Sequence, residues 1–278
     1  MPLYQAIVLA VVQGITEFLP ISSTAHLILV PWVMGWRDPG LTFDVALHVG
    51  TLAAVAAYFA RTWVKLLLLG FGVRLGAPDD LDQNPRLFWF LVIATIPAAV
   101  AGAALEHYAE STLRSPYIVA AMMIGIGLLL WWAEVRGRFQ KDLGKVSLGD
   151  AVTIGAWQAL AVVPGTSRSG VTIAAALLRD VNREAAARFS FLLATPVIAG
   201  AALKAGWNIV KAGGLAPDMR AAFGVGALVS AITGYAAIAF FIRYLQTRTL
   251  KFFVWYRIIC GIIIVALALF LRDPAAHL

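Results

Sequence analysis

Charge is what this sequence has least of. Only 13% of its 278 residues are Asp, Glu, Lys or Arg, against 61% hydrophobic, and soluble domains carry roughly 25% charged residues. Such a chain cannot clothe a water-soluble fold of this length, so it reads as an integral membrane protein. Cysteine is nearly absent as well: Cys260 stands alone, can form no internal disulfide, and sits in an apolar run as a small packing residue. Missing too are the alternating segments of about ten residues that spanning β-barrels show. The apolar runs are helical in length, so the fold class is all-α, a polytopic helical bundle. The N-terminus has no basic stretch, and its apolar run is broken by Gln13 and Glu17 before Pro20, which argues against a cleaved signal peptide. The net charge of +7 comes from basic residues scattered between apolar runs, where the positive-inside bias accounts for them. Nucleic acid is therefore not an expected partner.

Six runs are long enough to cross a bilayer core, at 43–69, 88–105, 117–132, 186–210, 221–242 and 252–271. Two further regions are not. Ahead of Pro20 the apolar arm is about thirteen residues and after His26 about eight, which reach roughly 20 and 12 Å as helix against a core of about 30 Å. The region around Pro164 repeats this: 152–163 leads in, Pro164 and Gly165 break the helix, and 172–178 leads away. Both read as re-entrant helical hairpins. Turns at that depth must be buried in protein or line a wet cavity, so the tips should face each other. Aligning Pro20 with Pro164 puts Ser23 on Ser167, and Gly125 aligns with Gly261, which points to a duplication with halves at about 1–140 and 141–278 within one transmembrane domain. Three spans separate the hairpins, so the halves insert in opposite senses.

Most of the 22 basic residues fall at one set of span ends, among them Arg61, Lys65, Arg136, Arg138, Lys141, Arg179, Arg183, Arg188, Arg243 and Arg248. The opposite set holds Arg37, Arg114, Lys211, Arg220 and Arg272. The bias puts both termini outside the cytoplasm. The acidic 78–85 segment is then a cytoplasmic loop with solvated charges.

Charge at the bilayer centre costs roughly 2.5–3.5 kcal/mol per residue, so the polar tips are site candidates by default. The second, Pro164-Gly165-Thr166-Ser167-Arg168-Ser169-Gly170, suits an anion: glycines permit close backbone approach, hydroxyls and amides donate, Thr172 onward offers a helix N-terminus, and Arg168 adds a planar charged fork. The first supplies Ser22, Ser23, Thr24 and His26, with Glu17 one turn after Gln13 on the same helix face. That oxygen-rich patch suits Mg²⁺ or Ca²⁺ with retained water and a substrate phosphate. His26 is close enough to act on a neighbouring hydroxyl or on phosphorus itself. Together the tips describe a phosphoryl-transfer site, with Ser23 or His26 as nucleophile.

The Gln13-xxx-Glu17 spacing, the Pro20-Ile-Ser-Ser-Thr-Ala-His26 run and the Pro164-Gly-Thr-Ser-Arg-Ser-Gly170 run closely resemble the undecaprenyl-diphosphate phosphatase family, the bacitracin-resistance type of bacterial membrane enzyme. The resemblance extends over the whole chain in span order and motif position. It implies hydrolysis of undecaprenyl diphosphate to the monophosphate and phosphate, which recycles the lipid carrier for cell-wall polymers. It also implies a divalent metal, an inner-membrane location and a site opening away from the cytoplasm. By position Glu17 falls on the family's acidic metal-linked residue, Ser23 and His26 on its nucleophile and acid–base pair, and Ser167, Arg168 and Thr172 on its phosphate loop. Gln13 stands where many members carry a second glutamate, so Glu17 either ligates alone or serves as a base. The expected partners are a polyprenyl diphosphate, the surrounding membrane lipids and, for assembly, a second copy of the chain.

The rival from another class is a secondary transporter or flippase for a phosphorylated lipid or anion, since inverted repeats with broken helices build transporters. Against it stands the Ser/His/Glu cluster opposite the Arg loop, which a carrier does not need. Among other residues, Arg257 is expected to snorkel to the cytoplasmic interface, with a role near the cavity as the alternative. Asp44 and His48 share a face that could line the cavity, His107 and His277 are expected in solvent, and Trp36, Trp131 and Trp132 fit an interfacial belt.

Overall fold

The apolar runs form helices that follow the expected order, with one break and two hairpins. The computed structural model describes residues 1–37, 40–74, 78–110, 112–211 and 213–270. Arg272, His277 and the side chain of His107 lie outside the described residues. Among those described, the α-helices are α1 (Leu3–Phe18), α2 (Ser23–Met34), α3 (Leu41–Tyr58), α4 (Ala60–Gly70), α5 (Leu87–Glu110), α6 (Pro116–Arg136), α7 (Leu148–Gln158), α8 (Arg168–Leu178), α9 (Arg183–Lys211), α10 (Pro217–Leu245) and α11 (Lys251–Phe270). The only β pairing among them is an isolated bridge between Lys141 and Val181. The chain is a multi-pass membrane helical bundle.

Five helices, α5, α6, α9, α10 and α11, are long and apolar enough to cross a membrane. The sixth expected span is not one rod: α3 and α4 meet at a bend of 69°. A straight continuation would carry Arg61 and Lys65 onward with the span, which is costly for charge in lipid; after the turn Lys65 pairs with Asp79 and Asp82. Helices α2, α7 and α8, with 12, 11 and 11 residues, reach only about 17–18 Å at ~1.5 Å per residue and cannot cross.

The hairpins are held by helices from the opposite half of the chain. α1 packs on α10 and α7 on α5, while α3 meets α9 and α6 meets α11. Glycines allow the close approaches: a Cβ at Gly14 would stand 1.9 Å from Thr233 Oγ1, and one at Gly155 would stand 2.3 Å from the Ala94 carbonyl oxygen. In the α6–α11 pair the crowded positions are Gly127 and Gly261, whereas Gly125, matched to Gly261 by sequence, faces open space. Phe191 links several helices in the core, with ring centroids 5.3 Å from Phe18, 6.3 Å from Phe59 and 6.1 Å from Phe241.

The backbone also shifts the expected match between the tips by one residue. Ser22 caps α2 with φ +73° and Ser167 caps α8 with φ +66°, each accepting a hydrogen bond from the third residue on. In this register Ser22 corresponds to Ser167, Ser23 to Arg168 and Gln13 to Gln158. Proline position misled the alignment because the turn geometry, not the proline, is what recurs.

At one end of the bundle the acidic loop is ion-paired rather than simply solvated. Lys65 lies 2.9 Å from Asp79 and 2.6 Å from Asp82, and Arg188 lies 3.0 Å from Asp80. Asn84 donates to the carbonyls of Leu143 and Val146. Beside it Asp150 accepts from Lys141 at 2.9 Å, Arg179 at 2.7 Å and Ser147 at 2.8 Å, which anchors the start of α7. Trp131 and Trp132 are exposed as an interfacial belt requires.

Candidate active site

Glu17 ends α1 one turn before the first tip, and its carboxylate is where the two hairpins meet. One oxygen, Oε1, accepts from Arg168 Nη2 at the second tip. The other, Oε2, accepts from Ser23 Oγ at 2.5 Å and from Gln13 Nε2 at 3.0 Å. Residues 151 positions apart in sequence are thus joined by a charge-assisted contact, and only 7% of Glu17 is exposed. Arg168 also donates to the Ala194 carbonyl of α9 at 3.1 Å, which fixes the plane of its fork.

A cavity of about 240 Å³ opens on this pair. Of the residues expected at the site, Glu17, Ser23, Thr24, Ser167 and Arg168 line it. Ser23 and Arg168 are the first residues of α2 and α8, so two helix N-termini converge there, an arrangement that favours an anion.

The remaining expected residues build the tips without lining the cavity. Ser169 donates to the Leu19 carbonyl of the first tip at 3.1 Å, and Thr166 donates to the Val163 carbonyl at 2.6 Å. Thr172 lies 2.7 Å from Ser190 Oγ, tying α8 to α9. Gly165 has φ +90° and is pressed against α6, where a Cβ would stand 2.5 Å from the Val119 carbonyl oxygen. Gly170 donates its amide to Ser167 Oγ.

His26 is turned away from Glu17. Its Nδ1 lies 2.7 Å from the Ser22 carbonyl and its Nε2 2.6 Å from the Tyr256 hydroxyl, with the two rings stacked. A carbonyl only accepts, so Nδ1 carries the proton and Nε2 accepts from Tyr256. The imidazole that lines the cavity is His48 of α3. Its Nδ1 donates to the Asp44 carbonyl at 2.7 Å, and its Nε2 stands 3.6 Å from Glu17 Oε2. The expectation that the shared face of Asp44 and His48 lines the cavity holds for His48.

Two residues at the site had no sequence signal strong enough to place them. Gln158 lines the cavity with both amide atoms buried and without a hydrogen-bond partner, matching the buried, unpaired Oε1 of Gln13. Arg257 does not snorkel to an interface: it has no exposed surface. It donates to Pro20 O of the first tip at 3.2 Å and lies 2.8 and 3.0 Å from the carbonyls of Gly165 and Thr166 in the second. It also reaches Met122 and Met123 of α6. Turns inside a bundle leave carbonyls unpaired, and a buried guanidinium with five N–H donors satisfies them.

Residues 6–263 match the family described as "Bacitracin resistance protein BacA". The chain belongs to that family. Among similar proteins is one of Moorella thermoacetica, 49% identical over 266 residues that cover 96% of this chain and 98% of the relative. One from Desulforudis audaxviator is 47% identical over 267 residues, covering 96% and 98%. Another, from Pelotomaculum thermopropionicum, is 45% identical over 269 residues, covering 96% and 97%. All three bear the name undecaprenyl-diphosphatase.

Proposed function

We propose that this chain is a polyprenyl-diphosphate phosphatase that hydrolyses undecaprenyl diphosphate to undecaprenyl phosphate and inorganic phosphate. The observation that carries the reading is the joining of Glu17, Ser23 and Arg168 at the meeting of two helix N-termini. The relatives' shared name supports the same substrate.

The terminal phosphoryl group enters between the helix N-termini and takes over the Arg168 fork from Glu17. Ser23 Oγ attacks phosphorus while its proton passes to Glu17 Oε2, the acceptor it already faces at 2.5 Å. The P–O bond to the polyprenyl phosphate breaks, and that monophosphate leaves with the proton that Glu17 took from Ser23, which restores the carboxylate. Water then hydrolyses the phosphoserine with Glu17 as base. Arg168 and the tip amides hold the phosphoryl oxygens throughout, where charge accumulates in the transition state. His26, through Ser22 and Tyr256, sets the position of the α2 N-terminus rather than touching the phosphate.

A divalent cation fits this donor set. Among the described residues no three His, Cys, Asp or Glu side chains cluster, so a closed protein cage is not what the site offers. Mg²⁺ binds through one or two carboxylates with waters and substrate phosphates. Glu17 and the unpaired Gln13 Oε1 would hold it, and a bound ion supplies charge neutralisation for the diphosphate.

The basic bias assigns the site to the outer side of the bacterial cytoplasmic membrane, with both termini outside. Assembly as a homodimer is a separate expectation, which sedimentation of the solubilised chain tests. The activity itself is tested by phosphate release from undecaprenyl diphosphate in detergent. Release by the unaltered chain, with a loss of at least roughly a hundredfold in Arg168→Ala, is expected; equal rates for the two would remove this mechanism.

A further inference from the structure

Beside the polar cavity lies a larger one of about 830 Å³ between α5 and α9, within the ~300–1,000 Å³ typical of small-molecule sites. The two meet along Ala98 and Gly102 of α5 and Val197 and Ala201 of α9, which line both. Their chemistry differs sharply. The smaller holds the Glu17 and Arg168 charges; the larger is walled by alanine, glycine, valine and proline, with Thr95, Lys204 and Asn208 as its polar side chains. Gly200 faces open space, so a Cβ there would meet nothing within 4 Å. This glycine, unlike Gly14 or Gly155, admits no neighbouring helix and leaves a notch instead.

We propose that this groove receives the isoprenyl chain of the lipid diphosphate, starting from the units next to the phosphate held by Arg168. The inference rests on the phosphatase reading above and adds the part of the substrate that reading leaves unplaced. A lipid diphosphate joins a doubly charged head to an apolar chain through one C–O bond. Once the head sits between the hairpin tips, the chain must leave without lying across the charged wall. The α5–α9 groove begins where that wall ends, at the shared residues. Its notch suits the methyl branches of an isoprenoid, which a straight acyl chain of the bulk lipid lacks. The groove thus lets the site favour a prenyl diphosphate over other membrane phosphates.

Purified full-length chain in detergent, assayed with dimethylallyl diphosphate and farnesyl diphosphate, tests this. Gly200→Leu and Ala99→Leu fill the groove from positions that do not line the polar cavity, and Gly200→Leu also raises helix propensity. The unaltered chain should have the higher kcat/KM for farnesyl diphosphate. In each variant that preference should fall about tenfold through KM, as loss of uniform binding requires, while dimethylallyl diphosphate is turned over within about twofold of the unaltered rate. Gly200→Ala should give an intermediate effect, which guards against misfolding of the larger variants. A preference unchanged in the variants, whether both substrates keep their rates or fall together, would overturn the proposal. Absence of phosphate release by the unaltered chain from either prenyl diphosphate or from undecaprenyl diphosphate would remove the phosphatase reading instead.

Discussion

Ser23 Oγ stands 2.5 Å from Glu17 Oε2, across a turn that brings the end of one helix to the beginning of the next. A hydroxyl this close to a carboxylate is set to give up its proton as it attacks. Ser23→Ala should therefore abolish both phosphate release and any trapped phosphoenzyme, a fall of at least about a thousandfold. Glu17→Gln should slow formation of the phosphoenzyme by roughly a hundredfold or more, since general-base contributions run at ~10²–10⁴. Rapid quench followed by mass mapping checks both; label found on His26 would reverse the assignment.

Arg168 is shared between Glu17 and the Ala194 carbonyl, so its fork is held in one plane. Arg168→Lys keeps charge but loses the second donor arm, and it should recover only a small part of the activity lost in Arg168→Ala. Inhibition by orthophosphate, measured on the same samples, should weaken in the same order.

Arg257 should matter to stability more than to the chemical step. Its removal orphans the carbonyls of Pro20, Gly165 and Thr166 in the two tips, each costing on the order of 1–3 kcal/mol when buried without a donor. Arg257→Ala should lower the thermal midpoint in detergent by far more than Arg168→Ala does. A midpoint unchanged by the substitution would show that the tips stand without it.

The two histidines separate cleanly. Only His48 faces the cavity, so His48→Ala should depress kcat more than His26→Ala. His26→Ala and Tyr256→Phe break the same hydrogen bond, and their double variant should lose little beyond either single one. Full additivity in that cycle would dissolve the proposed positioning link.

Chelation tests the cation separately. Activity removed by a strong chelator and restored by Mg²⁺ or Ca²⁺ is expected if Glu17 and Gln13 Oε1 hold the ion; persistence at full rate would leave Glu17 as base alone.

The site's composition was legible before its geometry. Arg168 and Glu17 could be paired from sequence because polar tips in apolar hairpins have nowhere to turn except toward each other. The same logic failed for Arg257, which from its position six residues into an apolar run had two ways to avoid lipid, outward along the helix or inward to unpaired carbonyls. Periodicity does not say which, because the acceptors belong to Pro20, Gly165 and Thr166 on remote segments. The tip register slipped for a related reason: Pro20 and Pro164 are visible in sequence, whereas the left-handed backbone of Ser22 and Ser167 is not.

What the amino-acid order settled alone was the all-helical membrane class, the short hairpins and the polar residues they carry, because the energetic penalty of charge and open backbone in lipid acts on local composition. Which imidazole faces Glu17, how the two halves lend each other packing surfaces, and where a groove opens beside the charged pocket were decided by tertiary structure. Those outcomes depend on rotations and separations of helices that no single segment contains.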